Sequence, residues 1–294
     1  MKFFSKSSSK KEQVKELKDK YLEEKASVAE KMELELSLRP NEEIKTSKVV
    51  RDVYKEEIEG LTEIKEGDLN ISTSYVFAID EGYEANVYIR NATKFNINLE
   101  NPCLIVTNGE GKIVLQKIFD GSELGTIPPF SARPWKIYFD KTYLPSSVDL
   151  TKCKVNFKVQ KPFADNGETS IGFKKLENLS DEKAVEVIDY NYRLPLLKEN
   201  EVNFNMSSLE IVDGFLDFNL IIRNSTESTL VNPETLKPLV EELPVAVYKD
   251  DEKVYNEVLR VGAIVGPKQA RYVHLSTAYK TETLDGLRIK LNEL

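Results

Sequence analysis

The residues that could do acid–base, nucleophilic or metal chemistry are few. His274 is the only histidine in 294 residues, and Cys103 and Cys153 are the only cysteines. One histidine can neither build a multi-histidine metal site nor relay a proton to a second imidazole. Its neighbours Val273 and Leu275 make His274 a strand residue, and the sequence holds neither a GxxxxGK phosphate loop nor a Gly-x-Ser-x-Gly elbow. We therefore expect no catalytic residues, no metal and no cofactor, and a protein that is not an enzyme.

Charge and the start of the chain predict the compartment. The net charge of −8 argues against general nucleic-acid binding, which needs a basic face. After Met1 and Lys2, two Phe are followed at once by Ser and Lys, so the apolar stretch of a secretory signal is missing. No apolar run is long enough to span a membrane. We expect a cytoplasmic protein whose two cysteines are free thiols packed as small hydrophobes.

A charged helical segment is predicted over residues 1–60. A first helix is expected over residues 10–38, stopped by Pro40, and a second over residues 48–59, capped by Thr46-Ser47. Apolar residues at spacings of three, four and seven form a stripe on the first helix: Val14, Leu17, Tyr21, Val28 and Met32. The stripe either packs on the protein's own body or docks on a partner helix. The first twenty residues hold seven Lys against three acids, which favours contact with an acidic partner or transiently with an anionic membrane surface.

From Leu69 onward the pattern changes to alternation with a period of two, and it repeats. Three pairs of segments line up: 61–71 with 194–204 and 89–93 with 222–226, both 133 residues apart, and 129–133 with 267–271, 138 residues apart. Two matches in one register indicate an internal duplication.

The duplication predicts the domain organisation. We expect a first repeat over residues 61–160, a linker over 161–180 and a second repeat over 181–294, the last beginning with a short helix at about 181–190. Short β-rich runs separated by turn residues predict about seven strands in each repeat. The fold class is therefore mainly β, with two tandem immunoglobulin-like β-sandwich repeats behind the helical segment.

Two local motifs remain open to more than one interpretation. The repeated Ile-Arg-Asn-x-Thr fits the glycosylation acceptor pattern at Asn91 and Asn224, but a turn at a strand end is favoured, because Asn bonds nearby backbone. Arg133 has a counterpart in the second repeat, Arg271. Trp135, the single Trp, lies two residues after Arg133. Trp135 either fills a core or forms a binding hot spot, and the arginines either pair with carboxylates or help form a partner surface. Arg133 and Trp135 therefore join the apolar stripe as candidate partner-binding residues.

Residues of the first repeat also resemble a known family. The matching stretches are 85–93 (ANVYIRNAT), 97–99, 119–129 and 131–135 (SARPW), with a lead-in at 36–40. They resemble the duplicated domain of the SLAP family, the accessory Sec system S-layer assembly proteins of Gram-positive bacilli. The similarity covers residues 35–160 well and 185–294 more loosely, with Val273 in place of the Trp.

The resemblance implies a non-enzymatic cytoplasmic accessory factor that assists export of S-layer proteins through the accessory Sec pathway. It implies S-layer protein precursors and the accessory Sec motor ATPase as partners. The alternative is a surface-exposed structural or adhesive β-sandwich protein of the cell wall, since tandem sandwiches are common there.

Overall fold

The computed structural model describes residues 32–292 and is mainly β. The helices are α1 (Pro40–Lys45), α2 (Lys48–Glu59) and α3 (Asp181–Arg193). The strands of the first half are β1 (Glu35–Leu36), β2 (Leu69–Ile79), β3 (Gly82–Asn91), β4 (Cys103–Thr107), β5 (Ile113–Ile118), β6 (Ser131–Asp140) and β7 (Lys154–Phe157). Those that follow are β8 (Glu168–Thr169), β9 (Gly172–Phe173), β10 (Leu197–Lys198), β11 (Val202–Val212), β12 (Phe215–Asn224), β13 (Glu242–Lys249), β14 (Glu252–Arg260), β15 (Gln269–Lys280) and β16 (Leu287–Leu291). None of the helices in this part of the chain has the length and apolarity needed to span a membrane.

The predicted helix over residues 10–38 is wrong where the structure describes it. Residues 32–38 are extended and contain β1, which pairs in parallel with the start of β6. The backbone amides of Glu35 and Ser37 donate to the carbonyl oxygens of Phe130 and Ala132, and this tertiary pairing overrides the helical spacing. Pro40 begins α1 instead of ending a helix, because its fixed φ suits the first helical position. Met32 is partly buried and non-helical, while Val14, Leu17, Tyr21 and Val28 lie outside the described residues.

The two other predicted helices are confirmed. Ser47 caps α2 by accepting from the amide of Val50 at 3.4 Å, and Gly60 follows the last residue of α2. Ser180 caps α3 in the same way, accepting from Lys183 at 3.3 Å. The helix α3 runs to residue 193, about one turn further than its sequence pattern predicts.

The two halves of the chain share one strand order. The first half has a four-stranded sheet β1-β6-β3-β2 and a three-stranded sheet β5-β4-β7. The second has β9-β15-β12-β11 and β14-β13-β16, in which each strand takes the place of its counterpart in the repeat. Even the short parallel strand recurs, since β9 pairs with the start of β15 as β1 pairs with the start of β6.

The segment 161–180, predicted as a linker, contains secondary structure of its own. It contains β8 and β9, and Ile171 and Phe173 are buried. The succession β9–α3 therefore repeats the succession β1–α2 that precedes the first half. The division into repeats at 160 and 181 stays a prediction.

Backbone contacts group the chain into two compact units. Among the described residues, one holds 32–69 with 90–97 and 127–133, and the other holds 70–89, 98–126 and 134–292. Strands β3 and β6 run through both units. In the second unit, one buried cluster lies between the sheets of the second half and includes Phe218, Leu220, Leu243, Val245 and Leu275. The second half is therefore built as two sheets packed face to face.

A second cluster in the same unit joins the two halves. Here α3 contributes Ala184, Val187 and Ile188, which pack with Ile221 and Ala270 of the four-stranded sheet. Ile105 of β4 and Ile113 of β5 belong to the same cluster. The helix α3 is thus covered on one side by its own sheet and on the other by a sheet of the first half.

The repeated Asn closes equivalent turns in both halves. The Nδ2 of Asn91 donates to the carbonyl oxygens of Phe95 and Pro128, both at 2.8 Å. The Nδ2 of Asn224 donates to Ser228 and Gly266 at the same distance. Both Asn side chains are buried, so the turn interpretation is confirmed.

Candidate interaction surfaces

Arg133 is buried beneath the extended lead-in. Its Nη2 donates to the hydroxyl of Ser37 at 2.5 Å, which fastens the segment of β1 to β6. Burial lowers the pKa of the Arg133 guanidinium, and the nearby Glu42 opposes this effect. The counterpart Arg271 is more exposed and lies 3.6 Å from Glu177, as the carboxylate-pairing alternative predicts.

Trp135 is also buried and stacks edge-to-face on Phe119, with ring centroids 5.3 Å apart. Phe119 also contacts Phe139, which lies in β6 with Trp135, and these two ring centroids are 5.4 Å apart. The burial of Arg133 and Trp135 favours the structural alternative for both residues. Binding of a partner by either residue stays a prediction.

His274 belongs to a hydrogen-bond network that links β12 and β15. Its Nε2 lies 3.0 Å from Asp217, and its Nδ1 lies 2.9 Å from the Oδ1 of Asn219. The Ser276 hydroxyl donates to Asp217 at 2.6 Å. A nucleophile–base relay would need the hydroxyl to donate to the imidazole, and here both groups bond the carboxylate instead. Within residues 32–292, no group of three or more His, Cys, Asp or Glu is placed to hold a metal ion.

The network lies at a groove of about 470 Å³ beside the loop that precedes α3. The groove is lined by charged residues of both signs, among them Lys175, Glu177 and Glu210. Lys175 pairs with Glu177 at 2.7 Å, and Glu210 accepts from Asn219 at 2.9 Å. These charges are satisfied within the protein, which favours a structural role for the groove.

The first half carries an exposed aromatic patch, formed by Tyr75 and Phe77 of β2 and Tyr138 of β6. All three side chains are exposed, and the rings of Tyr75 and Phe77 stack with centroids 5.2 Å apart. The Tyr75 hydroxyl donates to Glu84 of β3 at 3.1 Å, and Lys136 of β6 pairs with the same carboxylate oxygen at 3.2 Å. Three neighbouring strands therefore contribute to one surface.

The electrostatics of the aromatic patch hold it in one arrangement. Burial raises the pKa of Glu84, but hydrogen bonds from Lys136, Tyr75 and Tyr138 outweigh this and lower it overall. The bond to Glu84 raises the pKa of Lys136. Both groups therefore stay charged over a wide pH range, and the carboxylate orients the tyrosines around it. The result is an exposed aromatic surface whose tyrosines are ordered around one carboxylate.

The equivalent surface of the second half is polar. At the offsets of 133 and 138 residues, Ser208 and Glu210 take the places of Tyr75 and Phe77, and Ser276 takes the place of Tyr138. The ion pair of Glu84 and Lys136 corresponds to Asp217 and His274. The aromatic patch is therefore a property of the first half and not of the shared fold.

The strand that carries Tyr75 and Phe77 is an edge strand. In its sheet, β2 is the last of the four strands and runs for eleven residues. Near Thr73 this edge meets β7, since the Thr73 hydroxyl accepts from the amide of Val155 at 2.7 Å. The aromatic residues follow Thr73 along the strand. Edge strands of this kind can accept an added strand from another chain.

The sequence alone did not single out the aromatic patch. Tyr75 and Phe77 alternate with Ser74 and Val76, which predicts a strand with one buried face. Aligning the two repeats could have revealed it, because aromatic residues of the first copy align with Ser and Glu in the second.

Comparison with known families finds a match in the first half. Residues 36–159 match the family model described as the SLAP domain. No curated protein and no solved structure matches the chain.

Proposed function

We propose, starting from the match of residues 36–159 to the SLAP domain model, that this protein is a non-enzymatic cytoplasmic factor for S-layer protein export. The name of the family supports a secretion-associated or S-layer-related role. In this proposal the protein works with the accessory Sec motor ATPase and binds S-layer precursors by protein–protein contact. The observation that carries the binding mode is the exposed aromatic patch on the edge strand β2.

The proposal includes an immunoglobulin-like fold for each half. Counting the six longer strands of a half in chain order, the first, second and fifth share one sheet, and the third, fourth and sixth share the other. This division matches the A, B and E strands and the C and F strands of immunoglobulin sandwiches. The short parallel strand β1 or β9 is an addition to that pattern.

An extended client segment suits the aromatic patch for two reasons. Its backbone can pair with the edge of β2, and its alternate side chains then fall beside Tyr75 and Phe77. A precursor awaiting export exposes such segments because it is unfolded. A factor that binds the unfolded form shifts the folding equilibrium by mass action and needs no chemical step. Modest affinity suffices, since the client has to be released to the translocation machinery.

The test replaces the aromatic patch with the residues of the second half. Tyr75→Ser with Phe77→Glu introduces the side chains that the same fold already carries at residues 208 and 210. At the equivalent place in the second half, Glu210 accepts from Asn219, whose counterpart in the first half is Asn86. This patch variant, the unchanged protein and the exposed-site control Val159→Ser are each expressed in the native host lacking the gene.

We expect the deletion strain and the patch variant to accumulate S-layer precursor in the cytosol while general secretion stays intact. The unchanged protein and Val159→Ser should restore export, as measured by immunoblot of cytosolic and secreted fractions. Normal export in the deletion strain together with failed attachment of the S-layer to the wall would instead support the structural cell-wall alternative. Restored export by the patch variant would refute the aromatic patch as the client site.

A further inference from the structure

The strand β14 has one free edge in the second half. It is the first strand in the order β14-β13-β16, and within residues 32–292 its only strand neighbour is β13. The amide of Val261 donates to the carbonyl oxygen of Glu241, at the end of this ladder. Because hydrogen-bonded and non-bonded pairs alternate in antiparallel ladders, residues 255, 257 and 259 bond β13. The backbone groups of Asn256, Val258 and Arg260 therefore point to the free edge.

The equivalent edge of the first half is covered. The ladder of β4 with β5 has its irregularity after Val106, as the ladder of β13 with β14 has it after Val247, so Gln116 of β5 corresponds to Asn256. The carbonyl oxygen of Gln116 accepts from the hydroxyl of Ser170 at 3.2 Å. The amide of Ile113 in β5 donates to Asp189 of α3 at 2.7 Å. Both covering groups come from the chain that leads into the second half, and in the described residues no such segment covers Asn256.

The outward face of β14 is apolar in its middle and charged at its ends. Val254 and Val258 are 40 and 47% exposed, and Glu252, Asn256 and Arg260 are exposed as well. Neither Glu252 nor Arg260 has an ion-pair partner within residues 32–292. The order of these residues is symmetric about Asn256, with a valine two residues away on each side and opposite charges four residues away.

We infer that β14 pairs antiparallel with β14 of a second copy of this chain, about a two-fold axis at Asn256. Each Val254 then lies opposite Val258 of the second copy, and each Glu252 lies toward Arg260 at the other end. Symmetric interfaces of this kind make every favourable pair twice. An axis at Glu257 would instead place two carboxylates directly opposite each other, which is destabilising. The charges therefore select both the occupant of the edge and its register.

A head-to-tail contact, in which α2 of a second copy takes the place that α3 has beside β5, fits less well. Both helices begin after a capping serine, so Asp52 and Lys55 of α2 correspond to Val185 and Ile188 of α3. Val185 and Ile188 are buried, whereas Asp52 and Lys55 are exposed and charged. Docking α2 in that way would bury two charges that the sheet offers no partner for.

The first test measures the association of the full-length protein by sedimentation equilibrium. We expect a monomer–dimer equilibrium. Val258→Lys should lower its association constant at least about tenfold, because two valine pairs are lost and a lysine on an edge strand opposes pairing. The matched control is Val212→Lys, since Val212 is also exposed, at 42%, and lies on the edge strand β11. The control should leave the association constant unchanged.

The second test detects the register by disulfide formation. Residues directly opposite each other in a hydrogen-bonded pair have Cα atoms about 5.5 Å apart, which suits a disulfide. Asn256→Cys should therefore form a covalent dimer under mild oxidation, while Val212→Cys should stay monomeric under the same conditions. Cys103 and Cys153 are buried and do not compete. Non-reducing electrophoresis measures the yield.

Four outcomes would overturn the inference. A monomer at every concentration would leave the edge to a different chain, such as an extended client segment. Oligomers larger than the dimer would indicate head-to-tail contact. An association constant that Val258→Lys leaves unchanged, or an Asn256→Cys variant that cross-links no better than Val212→Cys, would place the dimer contact elsewhere. If circular dichroism shows that Val258→Lys does not fold, the comparison of the two cysteine variants decides alone.

Discussion

Asn91 and Asn224 show how far one repeated residue type can predict structure. The sequence predicts a turn because Asn bonds nearby backbone, and the structure places each side chain at the centre of a buried turn. The distant acceptors Pro128 and Gly266 could not be predicted, because they come from another strand of the sheet. Local chemistry therefore predicts the motif's role, and tertiary pairing decides its partners.

The cysteines give a prediction at the residue scale. Cys103 and Cys153 are free and buried, as the sequence predicts. Burial raises the pKa of each thiol to about 11. Because the thiolate is the reactive species, we expect neither thiol to react appreciably with Ellman's reagent at pH 8 in the native protein. Both should react in guanidinium chloride.

A cysteine introduced at the exposed position 159 (Val159→Cys) provides the control and should react at once in the native state. Rapid native labelling of two thiols in the unchanged protein would show that at least one of the two sites opens readily. The measurement is the absorbance of the released thionitrobenzoate.

The aromatic patch shows what single-strand patterns cannot reveal. Tyr138 lies 63 residues after Tyr75 and 61 after Phe77 in the sequence, and only the register of the sheet places the three on one face. Trp135 and Arg133 drew attention as rare or repeated residues, yet both are buried. A rare or repeated residue in the sequence therefore does not indicate whether its side chain is exposed.

At the scale of elements, the short parallel strands β1 and β9 attach the segment before each half to its four-stranded sheet. The two residues of β1 and the two of β9 are too short to produce a sequence pattern, so residues 32–38 and 161–180 were predicted as helix and linker. Each strand is held by backbone pairing to a strand nearly one hundred residues further on. Long-range pairing of this kind overrides local propensity.

Lys158 links an element of each half and gives a second prediction. Its buried ammonium donates to the carbonyl oxygens of Tyr192 and Leu194, at 2.8 and 3.1 Å, and so caps the end of α3. Burial lowers the pKa of Lys158. We expect Lys158→Met to reduce the free energy of unfolding by about 2 kcal/mol, since charged hydrogen bonds to buried carbonyls are lost. Urea unfolding followed by circular dichroism measures the change.

The matched control is Lys154→Met, an exposed lysine at the start of β7, the strand that ends just before Lys158, and it should change stability by less than about 0.5 kcal/mol. Equal effects of the two substitutions would mean that the cap of α3 contributes nothing to stability.

At the scale of the molecule, the duplication has produced two halves with one strand order and different surfaces. The first half carries exposed aromatic residues where the second carries Asp217, His274 and Ser276 in a hydrogen-bond network. The second half in turn has its helix covered by the first. Under the proposed function, this asymmetry assigns client binding to the first half and a supporting role to the second.

The second compact unit contains strands of both halves of the chain. Because these strands share the cluster around α3, we predict that they unfold together. Ile113 belongs to the first half, but it packs with Ile188, Ile221 and Ala270 of the second. We expect Ile113→Ala to lower the free energy of unfolding by about 3 kcal/mol, through lost burial and the cavity that remains. Trp135, the single Trp, reports the first half by fluorescence, and hydrogen exchange of β12 and β15 reports the second. Because one cluster serves both halves, the two probes should show the same transition and the same shift.

The reciprocal substitution makes this prediction sharper. Leu220→Ala removes a side chain from the core that lies between the sheets of the second half alone. If the halves are coupled through α3, it should still move the transition that Trp135 reports, although Trp135 lies in the first half. Independent halves would give two transitions, with Leu220→Ala leaving the fluorescence midpoint in place. That result would mean that the cluster around α3 is a contact between separately stable domains. The second half would then not stabilise the first half against unfolding.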